Sequence, residues 1–175
     1  MNIKRIIFCY ALPMLLVQHA TAQKTTVVSS RDLQSLVGCW QGTLNYSGTI
    51  VRKPYSTTAT LHVTQAGNSN QFKLNHVYTK DPNDQTTDTI TISSDGKKMN
   101  GAAVKSKRII NPGNIEITTE LPGFDSDHNK VALIKRVYDI SNNAFSVRKY
   151  VLVEGQTEWQ EREEFIYVRK SCDEN

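Results

Sequence analysis

The sequence predicts an all-β chain, a single antiparallel up-and-down β-barrel of about 8–10 strands. Three observations carry this expectation. Short segments with period-two alternation of apolar and polar residues succeed one another from residue 38 to residue 170, with turn residues between them and no long helical pattern. Gly38-Cys39-Trp40 opens the first of these segments, and Cys39 and Cys172 bracket the whole series. Closure is favoured over a sandwich because it removes the unpaired edges that an open sheet would leave.

The elements follow in order. Residues 23–37 read as a flexible lead-in, with a short helical or turn-like piece over 31–37 that Ser30 could cap. The domain proper is expected over 38–172. In the first strand Trp40, Gly42, Leu44 and Tyr46 share one face, and Gln41, Thr43 and Asn45 the other. Ala59, Leu61 and Val63 alternate with threonines and His62 in the second. A Gly/Asn/Ser turn at 66–70 leads to Phe72, Leu74, His76 and Tyr78, which suggests a hairpin. Lys80–Gln85 reads as a loop around Asp81-Pro82-Asn83. A Thr/Ile strand over 87–93 then turns at Ser94-Asp95-Gly96-Lys97 into a strand over 98–104. Lys105-Ser106-Lys107-Arg108 is expected as a solvated loop. Asn111-Pro112-Gly113-Asn114 turns the chain into Ile115–Leu121, and Pro122–Asn129 reads as a polar loop. Strands over 130–140, 144–153 and 158–169 complete the succession.

Residues 1–22 have the form of a secretory signal. Lys4 and Arg5 precede an apolar stretch that is interrupted by Pro13 and too short to span a bilayer, and Ala20-Thr21-Ala22 supplies a small-x-small cleavage site. Cys9 lies inside that stretch, where a lipidated cysteine would have to end it. A secreted or periplasmic protein is therefore expected. The chain of 175 residues has 21 basic and 17 acidic residues, and loss of Lys4 and Arg5 leaves it near neutrality with the charges interspersed. Neither a nucleic-acid partner nor a membrane span is expected. In an oxidising compartment Cys39 and Cys172 pair naturally as a disulfide, two separate thiols being the other reading.

Gly38-Cys39-Trp40, the strand succession and Arg169 on the last strand together resemble the calycin superfamily, which takes in lipocalins, fatty-acid-binding proteins and small secreted bacterial lipocalin-like proteins. The resemblance implies a lipocalin-like cup and an Arg169 guanidinium stacked over Trp40 as a cation-π contact. The lipocalin Thr-Asp-Tyr motif and the long helix after the last strand are both missing.

Arg136-Val137-Tyr138 and Arg148-Lys149-Tyr150 each place an arginine and a tyrosine two apart, on one face of neighbouring strands. Both resemble the Arg-x-Tyr pair with which fatty-acid-binding proteins hold a carboxylate. An acid head entering an apolar cavity must be met by guanidinium and phenol donors. Arg136 shares its face with Ala132, Ile134, Tyr138 and Ile140. Arg148 sits opposite the more apolar set Phe145, Val147, Val151 and Val153, a pattern that turns it outward. The expected ligand contacts are Trp40, Phe72, Arg136, Tyr138, Arg148 and Tyr150, and the expected ligand is a small apolar or amphipathic molecule that can carry a carboxylate. The alternative is a filled barrel that binds a protein partner through loops 80–85 and 122–129.

No metal, cofactor or catalytic role is expected. His62 and His76 read as solvent-facing or internally satisfied, and no His-x-His or Cys-x-x-Cys spacing is present. Glu158, Glu161, Glu163 and Glu164 read as an exposed, charge-alternating face. No nucleophile signature occurs.

Overall fold

The computed structural model describes residues 26–47, 53–79 and 81–172; the signal peptide expected over 1–22 lies outside the described residues. A 3-10 helix, Ser30–Leu36, precedes ten strands. These are β1 (Gly38–Tyr46), β2 (Tyr55–Gln65), β3 (Gln71–Tyr78), β4 (Asp81–Thr91), β5 (Lys98–Met99), β6 (Ala102–Asn111), β7 (Asn114–Asp125), β8 (Lys130–Ile140), β9 (Ala144–Val153) and β10 (Gln160–Lys170). They form one antiparallel sheet in the order β4-β3-β2-β1-β10-β9-β8-β7-β6-β5, the succession of a meander whose first and last long ladders are sewn together between β1 and β10. The free edges meet where Ile92 bridges Met99 and Asn100 N–H donates to the Thr91 carbonyl at 2.8 Å. The barrel is nearly closed. Among the described residues no helix is long and apolar enough to cross a membrane.

Alternation decides what is inside. Trp40, Leu44, Ala59, Leu61, Val63, Phe72, Ile117, Ile140, Phe145 and Tyr167 are all buried on the inner face. Gly42 shares that face for a different reason. A Cβ there would stand 2.0 Å from the Ile166 carbonyl oxygen and 2.6 Å from the Tyr167 ring, so β1 and β10 approach closely only because the side chain is missing. The obstructing atom is backbone and cannot rotate away. Gly42→Ala is expected to destabilise the barrel by about 1–3 kcal/mol or more, the usual cost of overpacking. Thermal melting checks this, and an unchanged midpoint would mean that the seam has slack the structure does not show.

One end is closed by the 3-10 helix. Trp40 Nε1–H donates to the Leu36 carbonyl at 2.8 Å, and Arg169, 4.1 Å over the Trp40 ring, donates to the carbonyls of Ser35, Val37 and Asn142. The helix's terminal carbonyls, which have no partner within the helix, are thus met by the barrel's own side chains. Its start is organised by Ser29 rather than by the expected Ser30. Burial alone would raise the Asp32 pKa, but the Ser29 N–H and the Lys107 ammonium, 3.1 Å away, hold it below the ordinary carboxylate value. Val28 is buried and its N–H donates to the Gly96 carbonyl at 2.9 Å. This part of the expected flexible lead-in is packed into the fold.

Four other expectations change. From Asp81 on, the expected loop over 80–85 is instead the start of β4, an edge strand, and Pro82 falls within the register shift between the Asp81 and Gln85 pairings with β3, where it has no ladder partner. Pro122 lies within β7 for a similar reason. The ladder to β6 ends at Ala103↔Glu120, which leaves one flank of Pro122 without a strand, and the loop shrinks to the residues after Asp125. The strand expected over 98–104 is broken by a tight turn at Asn100 (φ 53) and Gly101 (φ 76), an Asn-Gly pair in the left-handed region that mates β5 with β6. Lys105–Arg108 belongs to β6, with Lys107 bound to Asp32 and Arg108 to Glu116.

Candidate functional site

The interior is not filled. A cavity of about 440 Å³ lies within the barrel, with Leu74, Ile90, Phe145 and Phe165 among its apolar walls and His76, Arg136, Tyr138 and Tyr167 among its polar groups. Asp88 and Thr89 of β4 and Asn100 after β5 stand at its rim, so the cavity reaches the free edge of the sheet rather than the end closed by Trp40. The gap in the barrel lies beside the cavity.

Strand register builds the polar part. Thr119 of β7, Arg136 of β8, Lys149 of β9, Glu163 of β10, Tyr46 of β1 and Tyr55 of β2 stand opposite one another in turn, forming one continuous rung across the wall. Lys149 and Glu163 satisfy each other at 2.8 Å. Arg136, adjacent to Lys149 in the rung, has no ion pair or hydrogen bond among the described residues, whereas Arg108, Arg148, Arg162 and Arg169 are all engaged. The next rung holds Tyr138 beside Ile117 and Val147. Burial pushes the Tyr138 phenol above its ordinary pKa despite Arg136 nearby, so it remains a hydroxyl at neutral pH and can donate.

On the opposite wall His76 Nδ1 and the Tyr167 hydroxyl lie 3.0 Å apart, and His76 Nε2 is 3.6 Å from Asp88. Burial lowers the His76 pKa and Asp88 opposes it only in part, which leaves the imidazole neutral at pH 7. The Tyr167 phenol is raised by burial. These groups offer neutral donors and acceptors, while the positive charge of the cavity is concentrated at Arg136.

A smaller chamber of about 160 Å³ lies beyond the Lys149–Glu163 pair, which lines both spaces and partitions them. Arg162 is held there 3.5 Å from Asp125 and 4.0 Å from Asp127, and its Nε and Nη2 find no hydrogen-bond acceptor.

Of the six expected ligand contacts, the structure brings Arg136 and Tyr138 together on the cavity wall. Trp40 and Phe72 face inward but are wholly packed, each 0% exposed, in the core around the cavity. Arg148 and Tyr150 are corrected to the outer face. Arg148 donates to Asp139 at 2.6 Å and Tyr150 takes the Lys135 ammonium 4.9 Å over its ring. The reason is the phase of β9, whose inner residues are Phe145, Val147, Lys149 and Val151. Lys149 and Glu163 were missed. Lys149 shares parity with Val147 and Val151, and Glu163 shares it with Phe165 and Tyr167. A bulge between Glu161 and Glu163 separates that inward glutamate from the exposed Glu161, and Glu164 is half-buried as well, correcting the expected all-exposed glutamate face.

The sequence matches no family model and is similar to no curated protein. Among solved structures, Rv2717c from M. tuberculosis is similar with a TM-score of 0.55 at 14% identity, covering 82% of this chain and 99% of that one. What the two share is a barrel fold.

Proposed function

We propose that this chain is an exported, lipocalin-like barrel that carries a small amphipathic molecule in its lumen, with an acidic head group on Arg136. The observation that carries the reading is a guanidinium with no ion pair or hydrogen bond among the described residues, in a cavity of mixed lining whose apolar part is Leu74, Ile90, Phe145, Val147 and Phe165. A volume of about 440 Å³ falls in the range of small-molecule pockets, which join apolar walls to a few placed polar groups. Arg136 supplies fork-shaped donors, the Tyr138 hydroxyl lies two residues on along the same face, and Thr119 stands across the ladder. Apolar walls of Leu74, Ile90 and Phe165 would take the tail. No step of bond making is involved, and the ligand would leave as it came.

The disulfide between Cys39 and Cys172 fits a compartment that oxidises thiols, in keeping with export. Native mass spectrometry of the protein from its own host, followed by thermal shifts with a panel of fatty acids and porphyrins, tests the carrier reading. A discrete adduct or a rise in melting temperature supports it. Absence of both returns the chain to the alternative of a partner-binding barrel.

Arg136→Gln is expected to weaken binding of a fatty acid about 10–100-fold, the worth of a hydrogen bond to a charged group, while leaving the methyl ester of the same acid unaffected. Equal loss for acid and ester would show that the arginine shapes the cavity without reading the head group. Arg148→Gln, on the outer face, is the matched control.

A further inference from the structure

On the outside of the barrel, away from the lumen, a second set of chemically capable groups converges. Cys39 of β1 stands directly opposite His62 of β2 in the ladder, and the chain leaving β10 brings Cys172 to the same place, with the two cysteine Cα atoms 5.2 Å apart. The two sulfurs and a ring nitrogen of His62 all lie within 4.8 Å of one another. We propose that reduction of the Cys39–Cys172 disulfide converts this spot into a binding site for a thiophilic metal ion, zinc(II), held by both cysteine sulfurs and His62 with its fourth position left to water.

The donor set suits the ion. Two thiolates and an imidazole are the commonest zinc ligands, at about 2.3 Å for sulfur and about 2.0–2.1 Å for nitrogen, and three protein ligands with one open position is an established zinc geometry. Tetrahedral angles at those lengths put the two sulfurs about 3.8 Å apart and each about 3.5 Å from the nitrogen. The three donor atoms already lie within 4.8 Å of one another, close to those separations, and opening the disulfide frees the two sulfurs to move apart.

The backbone keeps the donors together when the bond opens. Cys39 and His62 are fixed opposite one another by the β1–β2 ladder, and Cys39 pairs with Lys170 in the β1–β10 ladder, two residues before Cys172. Lys170 stands opposite Cys39 in the β1–β10 ladder, on the other side from His62. His62 and Cys172 are both exposed, so reductant and metal have access.

The steps balance. A dithiol passes two electrons and two protons to the disulfide, forming two thiols and becoming a disulfide itself. Metal binding then releases the two thiol protons. The oxidised protein offers only His62 and has no reason to bind.

Titration of the oxidised and phosphine-reduced protein with zinc(II), and with cobalt(II) as the coloured substitute, tests this, with tryptophan fluorescence read in the same samples to report folding. The reduced protein should take up one equivalent and show a thiolate-to-cobalt charge-transfer band. The oxidised protein should show neither. His62→Ala should weaken binding by at least about 10–100-fold, and bound zinc should slow reoxidation of the pair. Three results would each overturn the proposal: no stoichiometric uptake by reduced protein with native fluorescence, equal affinity in His62→Ala, or equal uptake by oxidised protein. Where reduction alone unfolds the barrel, one equivalent of zinc must restore native fluorescence in the wild type and fail to do so in His62→Ala; failure in the wild type rejects the site as well.

Discussion

Replacing Cys39 and Cys172 together by serine is expected to lower the free energy of unfolding by about 5 kcal/mol. The bond closes a loop across a sequence separation of 133, so the denatured chain loses a great deal of freedom when it is present. Its position strengthens the case. Cys39 is the second residue of β1 and Cys172 follows β10, so the bond pins the seam where the first and last long strands of the meander meet. For a domain of this size the melting temperature should fall by about 10–20 °C. Urea unfolding followed by tryptophan fluorescence gives the number directly. A double variant within about 1 kcal/mol of the wild type would mean that the ladder alone holds the seam and that the denatured chain is already compact. Ligand affinity of the folded fraction should not change, because the bond lies outside the lumen.

Trp40→Ala should cost about 3–5 kcal/mol, the range for deleting a fully buried large aromatic side chain. Three losses coincide there. A side chain with 0% exposure leaves a void at the closed end, the Leu36 carbonyl loses its donor at 2.8 Å, and the Arg169 guanidinium loses the ring 4.1 Å beneath it. Trp40→Phe separates them in part, since it keeps most of the packing and an aromatic face while losing the N–H and the smaller ring of the indole. It should cost about 1–3 kcal/mol, the penalty for a buried carbonyl left unmet. Chemical denaturation of both variants provides the check. Should the phenylalanine variant prove as unstable as the alanine one, the hydrogen bond to the 3-10 helix, and not ring volume, would be the element that closes this end.

Much of this was readable from residue order. Period-two alternation at 40, 42 and 44, at 59, 61 and 63 and at 72, 74 and 76 named the inner face of the first three strands, because side chains in a strand alternate without exception unless a bulge intervenes. Arg136 was readable in the same way, through its shared parity with Ala132, Ile134, Tyr138 and Ile140. The departures have equally local causes. Pro82 and Pro122 looked like loop residues, since whether a proline interrupts a ladder depends on whether a neighbouring strand needs its N–H, which is a property of the edge and not of the residue. Lys149 and Glu163 looked like surface charges because each is costly to bury alone; as a pair 2.8 Å apart across two strands they are mutually satisfied. The Asn100-Gly101 turn was legible as an Asn-Gly pair and passed over for the apolar pattern around it.

By itself the sequence determined that the chain is all-β, which face of most strands is apolar, and that Cys39, Trp40 and Arg169 belong to the ends of the first and last strands. These follow from local rules of alternation and turn chemistry. Closure between the first and last strands was expected from the meander and the bracketing cysteines; tertiary structure alone decided that the gap falls between β4 and β5, just short of full closure, and that a cavity is left with an unpaired arginine on its wall. It also decided that His62 lies beside the cysteine pair. The physical reason is the same in each case: register and packing are set by contacts between residues far apart in the chain, and no periodicity within a strand reports which strand, or which charge, will stand across from it.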